Sequence, residues 1–232
     1  MDTLRGYLAI LKKICRIAYK EGHSEKYHFC HFKLPKQKET TPKALSRENF
    51  EKLRDLEIPE KRRSHVITRD LFLFACYTGT AYADAVSITR ENLFQDDEGS
   101  LWLKYRRKKT DYLGRVKLLP EALALIGKYR DDTRITLFPP QDYHTLRRHE
   151  SMRSMGGAGG QDLVYHMARH SFGTLTLTAG IPIESIARMM GHTNIDSTQV
   201  YAQVTDRKIS SDMDRLMERR KSADAAGKET AD

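Results

Sequence analysis

The stretch Leu71–Tyr77, LFLFACY, constrains this chain more than any other. It is apolar on nearly every face, so as a helix it has to lie at the centre of a core with other elements packed around it. Gly79 interrupts the pattern, and Tyr82–Ile88 reads as helical again. At 232 residues the chain can supply one large domain, or a full domain with a small companion. Hydrophobic residues at 39% and charged residues at 31% suit a soluble, helix-rich globular protein and argue against a disordered one.

The remaining segments read as helices around one small sheet. Leu4, Leu8, Leu11, Cys15 and Ala18 recur at helical spacing, which predicts an amphipathic helix over 3–21 with basic residues on its other face. One helix cannot bury its own apolar stripe, so 1–34 reads as part of a helical unit. Lys33–Lys43, KLPKQKETTPK, is rich in lysine and proline and predicts an exposed linker, set here at 35–43. Ser46 stands as an N-cap before the next helix, although position 49 lacks the Glu or Gln of a full capping box. Ser100–Tyr105 and Arg115–Leu119 read as short strands joined by the basic hairpin Arg106–Gly114. Helices are expected at Glu121–Tyr129, Asp162–Ala179, Ile183–Met190 and Asp206–Arg220, and the small, polar tail over 222–232 is expected to be disordered. The expected fold class is mainly α (α+β), a helical domain over 44–221 with one small antiparallel sheet.

The charge balance points to a polyanion. Forty Lys and Arg stand against 31 Asp and Glu, a formal net charge of +9. Residues 1–43 hold ten of the bases and four of the acids, so much of the excess sits near the N-terminus. No apolar run approaches the roughly 20 residues that cross a bilayer, and the N-terminus has no signal-peptide core. Cys15, Cys30 and Cys76 form no Cys-x-x-Cys pair and suit free thiols in a reducing compartment, which makes the cytoplasm the default.

Two metal- or phosphate-binding readings fail on inspection. His166 and His170 are four residues apart and His192 could join them on zinc, but Met167 stands where a metallohydrolase needs its glutamate base. Arg169 would also set a positive charge beside the metal. Gly156–Gly160, GGAGG, lacks the Lys-Ser/Thr of a P-loop and reads as a flexible connector.

What remains is an ordered series of motifs: Thr78-Gly79 before a helix, Arg107-Lys108-Lys109-Thr110 on the hairpin, His166-x-x-Arg169, Gly191-His192, and Tyr201 nine residues beyond that histidine. The blocks HMARHSFGT and MMGHTNIDSTQVYAQV are the specific ones, and the run from about Ala44 to Arg220 resembles the tyrosine recombinase (phage integrase) family of DNA strand-exchange enzymes. The resemblance implies that Tyr201 is the nucleophile that forms a 3′-phosphotyrosyl link and frees a 5′-hydroxyl. It implies that Arg169 clamps a non-bridging oxygen, that His192 donates to the same phosphate, and that His166 positions the phosphate and assists proton transfer at the tyrosine. Lys109 is the expected general acid for the leaving 5′-oxygen, with Lys108 the runner-up because hairpin register is not fixed by sequence. No cofactor or metal is implied, since every cation is a side chain.

The expected partner is double-stranded DNA, bound by a homotetramer on paired recombination sites, with no membrane and no small-molecule substrate. The expected function is integration or excision of a mobile element. In the family a helical core-binding domain precedes the catalytic domain. Residues 1–34 resemble only its latter part, so the expectation is a shortened chain with a weak clamp. Ile209, Met213, Leu216 and Met217 on the last helix suit docking on a neighbour or packing within the chain.

One departure stands out. The family's first motif usually carries an arginine two residues after the glycine of Thr78-Gly79, and here that position is Ala81, while Asp84 matches the acidic position and looks structural. Arg69, Arg90, Arg106 and Arg107 are the nearby substitutes. Otherwise the enzyme is slow, or the chain is a DNA-binding relative that does not cut, with an architectural or regulatory role. The retained Lys109, His166, Arg169, His192 and Tyr201 favour an active enzyme. A type IB topoisomerase, which shares this chemistry, is a distant third.

Overall fold

The sixteen-residue helix Arg63–Thr78 carries packed side chains on opposite faces, which is how an uncharged stretch such as Leu71–Tyr77 is accommodated. The structure is a computed structural model describing residues 2–34, 44–131, 133–141, 163–199, 201, 213–214 and 217–218. The chain divides into two units, Met1–Thr41 and Pro42–Asp232. Helix α1 (Asp2–Lys20) belongs to the first. The second holds α2 (Arg47–Arg54), α3 (Arg63–Thr78), α4 (Tyr82–Ala85), strands β1 (Leu93–Gln95), β2 (Leu101–Arg106) and β3 (Leu113–Lys117), then α5 (Pro120–Lys128), α6 (Tyr165–Thr178), α7 (Ile183–Met190) and α8 (Asp196–Gln199).

In the first unit, Leu8, Cys15 and Ala18 of α1 are partly buried, whereas Leu4, Tyr7, Ile10, Leu11 and Ile14 are exposed. Lys12 Nζ donates to the Phe32 carbonyl at 2.6 Å, which ties the following segment back to the helix.

In the second unit, Ile67, Leu71 and Phe74 of α3 pack with Leu103, Tyr105 and Val116 of the sheet, and with Phe138, Phe172, Met190 and Tyr201. Phe72, Leu73, Ala75 and Cys76 pack instead with Leu45, Leu53, Met167 and Ala168. Within α3, Asp70 is buried and neutralised by Lys128 Nζ at 2.6 Å and Arg69 Nε at 2.9 Å. Helix α3 ends at Gly79, whose φ of 70° is left-handed. A β-carbon there would lie 2.6 Å from Phe172 Cδ1, so glycine is required on two counts.

The sheet is antiparallel in the order β1-β2-β3, with Leu103 opposite Val116 and Tyr105 opposite Gly114. These four residues are buried and the alternate ones, Lys104, Arg106, Arg115 and Lys117, are exposed, the period-two pattern of a sheet with one wet face. The Tyr105 ring fills the space a side chain at Gly114 would need.

The expected α+β class holds: helices dominate and surround one small sheet. Three local readings are corrected. Helix α3 begins eight residues before Leu71, α4 stops at Ala85 instead of running to Ile88, and β1 adds a third strand that three residues of pattern did not reveal. The linker 35–43, Gly156–Gly160 and the tail 222–232 lie outside the described residues. Of the last expected helix only 213–214 and 217–218 are described, and there Met213 and Met217 are exposed. Among the described residues no helix is long and apolar enough to cross a membrane.

Candidate active site

Arg169 sits on α6 and is 1% exposed, a rare degree of burial for an arginine. Its guanidinium donates through Nη1 to the Gly79 carbonyl and through Nη2 to the Met190 carbonyl at 2.7 Å. Gly79 caps α3 and Met190 ends α7. The last carbonyls of a helix lack intrahelical partners and carry the negative end of its dipole, so two helix ends converge to make a cation site. Burial pulls the Arg169 pKa down and Tyr105 pulls it back up. An arginine in such a site stays charged.

His192 follows the second of these helix ends. Gly191 turns the chain at φ 62°, and the His192 amide donates to Ala187 O at 2.9 Å. The His192 ring shares a hydrogen bond of 2.7 Å from Nδ1 to Thr198 Oγ1 on α8. Burial first, then the charges of Arg169 and Arg107, lower its pKa from 6.5 to about 4, so it is neutral at pH 7.

Tyr201, 8% exposed, lies against α6. A β-carbon on Gly173 would fall 2.8 Å from Tyr201 Cδ2, so the glycine makes room for the ring. The Tyr201 hydroxyl is 3.1 Å from His170 Nδ1, and the rings of His170 and His166 meet edge-on with centroids 4.3 Å apart. Burial raises the Tyr201 pKa, while Arg169 and Arg107 oppose the rise. The His166 pKa is lowered by burial, then by Arg169, Arg107 and Lys109. The His170 pKa falls to about 4 through burial, His166 and Arg169.

The β2–β3 hairpin closes the group. The Arg107 amide donates to Tyr112 O at 2.9 Å, the amides of Thr110 and Asp111 donate to Arg107 O, and Asp111 takes a φ of 55°. Buried Asp84, in the first turn of α4, accepts the Lys108 amide at 2.9 Å and faces Arg107 Nε at 3.9 Å. Lys108 and Lys109 are both exposed; of the two, Lys109 is the one whose charge reaches His166.

Of the five residues singled out in the sequence, His166, His192 and Tyr201 gather about the buried guanidinium of Arg169, and Lys109 is exposed on the hairpin with its charge reaching His166. Ala81 is the N-cap of α4 and offers no side-chain hydrogen bond. Three further participants escaped the sequence reading. His170 was weighed only as a zinc ligand, and its distance of four from His166 was the available signal. Thr198 and Gly173 stand inside the two specific blocks, where nothing in the pattern marks a role for either. Among the described residues no group of three or more His, Cys, Asp or Glu is placed to hold a metal ion.

The model of the phage integrase family matches residues 43–208. Tyrosine recombinase XerA of Thermococcus onnurineus is 27% identical over 201 residues, covering 80% of this chain and 66% of that protein. Tyrosine recombinase XerD of Listeria monocytogenes is 24% identical over 223 residues, covering 88% and 72%. The chain thus spans about two thirds of the length of these relatives. Among solved structures, the Tn1549 transposon integrase in complex with a circular intermediate DNA aligns with a TM-score of 0.65 at 18% identity, over 93% of this chain and 79% of that one. A lambda integrase dimer bound to a COC′ core site gives 0.62 at 18% identity, over 86% and 72%. At these identities the structural likeness is one of fold.

Proposed function

We propose, from the premise that this chain belongs to the phage integrase family, that it is a site-specific DNA strand transferase. On this reading it cuts and rejoins duplex DNA through a covalent 3′-phosphotyrosyl intermediate. The observation that carries the reading is the position of Arg169, whose charge acts on His166, His170, His192 and Tyr201 alike. A fixed cation within reach of a buried phenol and neutral imidazoles is the arrangement that in-line displacement at a phosphodiester needs.

Arg169 anchors two of its N–H groups on helix carbonyls and offers the rest of its fork to a non-bridging oxygen. His192 is neutral at pH 7, and with Thr198 donating to Nδ1 its Nε2–H becomes a donor to the same phosphate. The Tyr201 oxygen forms a bond to phosphorus as the bond to the 5′-oxygen breaks. The phenol proton leaves toward the His170–His166 pair, which lies at hydrogen-bond distance, and Lys109 protonates the departing 5′-oxygen. Reversal, with a different 5′-hydroxyl attacking the phosphotyrosine, rejoins the strands without an external energy source. The raised Tyr201 pKa means that the phenol is deprotonated only as it attacks.

Residues 44–221 form the catalytic domain in this proposal and 1–34 part of a core-binding domain. The partner is double-stranded DNA, the working assembly a homotetramer on paired sites, the compartment the cytoplasm, and the purpose integration or excision of a mobile element. A rival reading, a DNA-binding relative that does not cut, is favoured by Ala81.

The test is covalent capture. The full chain is incubated with a pool of nicked duplexes of randomised sequence and run on a denaturing gel. Wild type is expected to remain attached to a subset of the DNA and Tyr201→Phe to attach to none. A wild type that binds DNA yet never attaches would establish the rival.

A further inference from the structure

We propose that Arg107, carried by the β2–β3 hairpin, is the second arginine of the phosphate site and supplies the clamp that Ala81 cannot. The proposal rests on the strand-transferase reading above. Its starting point is a deficit: two non-bridging oxygens need donors, and the head of α4, where a second arginine is expected, presents only the methyl group of Ala81.

Of the four arginines near the motifs, three are engaged elsewhere. Arg69 donates from Nε to Asp70 at 2.9 Å and from Nη1 to Leu56 O at 2.6 Å. Arg90 donates from Nη2 to Asp131 O at 2.8 Å. Arg106, on the exposed face of β2, donates from Nη1 to the carbonyl of Asp111 at 3.0 Å and to its carboxylate at 3.3 Å.

Arg107 is largely buried, like Arg69, but is not engaged in this way. Its side chain is only 13% exposed. It runs against the turn that introduces His192: a β-carbon on Gly191 would lie 3.2 Å from both Arg107 Cγ and Cδ. Its Nε is buried and hydrogen-bonds to nothing among the described residues, and the Asp84 carboxylate, at 3.9 Å, is in ion-pair range but beyond hydrogen-bond range. A buried donor without an acceptor is uncommon enough to need a cause. Asp84 therefore orients Arg107 without saturating it.

The charge balance leads to the same conclusion. Arg107 is close enough to Arg169 that its charge disfavours that of the Arg169 guanidinium, and the carboxylate at hand, Asp84, brings one negative charge to two cations. A phosphodiester brings the second. Arg107 also acts on His166, His192 and Tyr201, the groups that would surround that phosphate. Its approach is fixed from the backbone, because Asp84 accepts the amide of the next residue, Lys108, at 2.9 Å. Asp84 lies three residues after Ala81, so the hairpin delivers its guanidinium to the very turn of α4 that lacks one. As Tyr201 attacks, negative charge grows on both non-bridging oxygens, with Arg169 on one and Arg107 on the other.

The experiment compares two versions of a nicked duplex that wild type captures covalently. One has an ordinary phosphodiester at the cut position, and the other a methylphosphonate, in which a methyl group replaces one non-bridging oxygen and removes its charge. Arg107→Gln keeps most of the stem against Gly191 and loses the charge. It is expected to slow adduct formation by about 100-fold or more on the phosphodiester, and by less than about tenfold on one methylphosphonate stereoisomer, where no charge remains to neutralise. Should Arg107→Gln lose its cooperative melting transition, Arg107→Lys takes its place, with a loss of at least about tenfold on the phosphodiester and the same recovery. A variant as fast as wild type, or one slowed equally on both substrates, overturns the proposal while leaving the strand-transferase reading intact. A wild type that forms no adduct overturns both.

Discussion

The Tyr201 hydroxyl lies 3.1 Å from Nδ1 of His170, one turn of α6 beyond His166. The nucleophile proposed here is therefore held by a residue to which the resemblance assigns no role, although it stands inside the block HMARHSFGT. The contact couples the phenol to a histidine whose pKa is depressed to about 4, and His192 is depressed to the same level.

These two histidines make stability fall with acid. Each has a folded pKa near 4 and an ordinary value of 6.5. Between those values the unfolded chain binds protons that the folded chain refuses, so the folding free energy weakens as pH drops from about 6.5 to about 4. Urea unfolding of wild type at pH 7 and pH 4.5 is expected to show this loss, and a His170→Gln, His192→Gln double variant to show a smaller one. Equal losses in the two proteins would assign the effect to carboxylates.

Arg169→Lys tests the helix-end cation site. An ammonium group lacks the fork that spans the carbonyls of Gly79 and Met190, and one buried acceptor is left unpaired at about 1–3 kcal/mol. A melting temperature several degrees lower is expected, with adduct formation slowed about 100-fold or more because the phosphate donor is displaced. Unchanged stability would mean that the carbonyls find other donors.

Gly79→Ala is expected to strain the same site from the other side. The left-handed φ of 70° costs a side chain about 1–2 kcal/mol. The contact with Phe172 adds overpacking of about 1–3 kcal/mol. Denaturant unfolding should register the sum, and a loss below about 1 kcal/mol would show that the turn relaxes.

Asp84 separates two jobs by substitution. Asp84→Asn keeps an acceptor for the Lys108 amide and loses the charge facing Arg107, whereas Asp84→Ala loses both. Cleavage rates are expected in the order wild type, Asn, Ala, with about tenfold lost at each step and DNA affinity little changed. An alanine variant as fast as wild type would show that the hairpin holds its own position.

Much of the fold was legible because it depends on local pattern. Leu71–Tyr77 could only be a central helix, Ile183–Met190 carries the apolar spacing and closing glycine that mark its ends, and the alternation through Leu103 and Tyr105 marks a strand. Strand β1 was not legible, since three residues are too few to display a period, even though its partner β2 begins only six residues after it ends. The order Lys109, His166, Arg169, His192, Tyr201 could likewise be read as a motif, residue by residue.

By itself, then, the sequence determined the element types, the family's signature residues and the gap at Ala81. It could not say which of four arginines stands near that gap, because Arg69, Arg90, Arg106 and Arg107 are alike in chemistry and differ only in surroundings. Tertiary structure decided this by bringing Asp84, Gly191 and the hairpin together around Arg107, while Asp70, Asp131 and Asp111 engage the other three. The same folding placed Arg169 between the carbonyl ends of α3 and α7, 90 and 21 residues away in sequence. The reason is physical: helix and strand patterns are set by neighbours within a few residues, whereas a charge's partners are set by whatever long-range packing brings within a few ångströms.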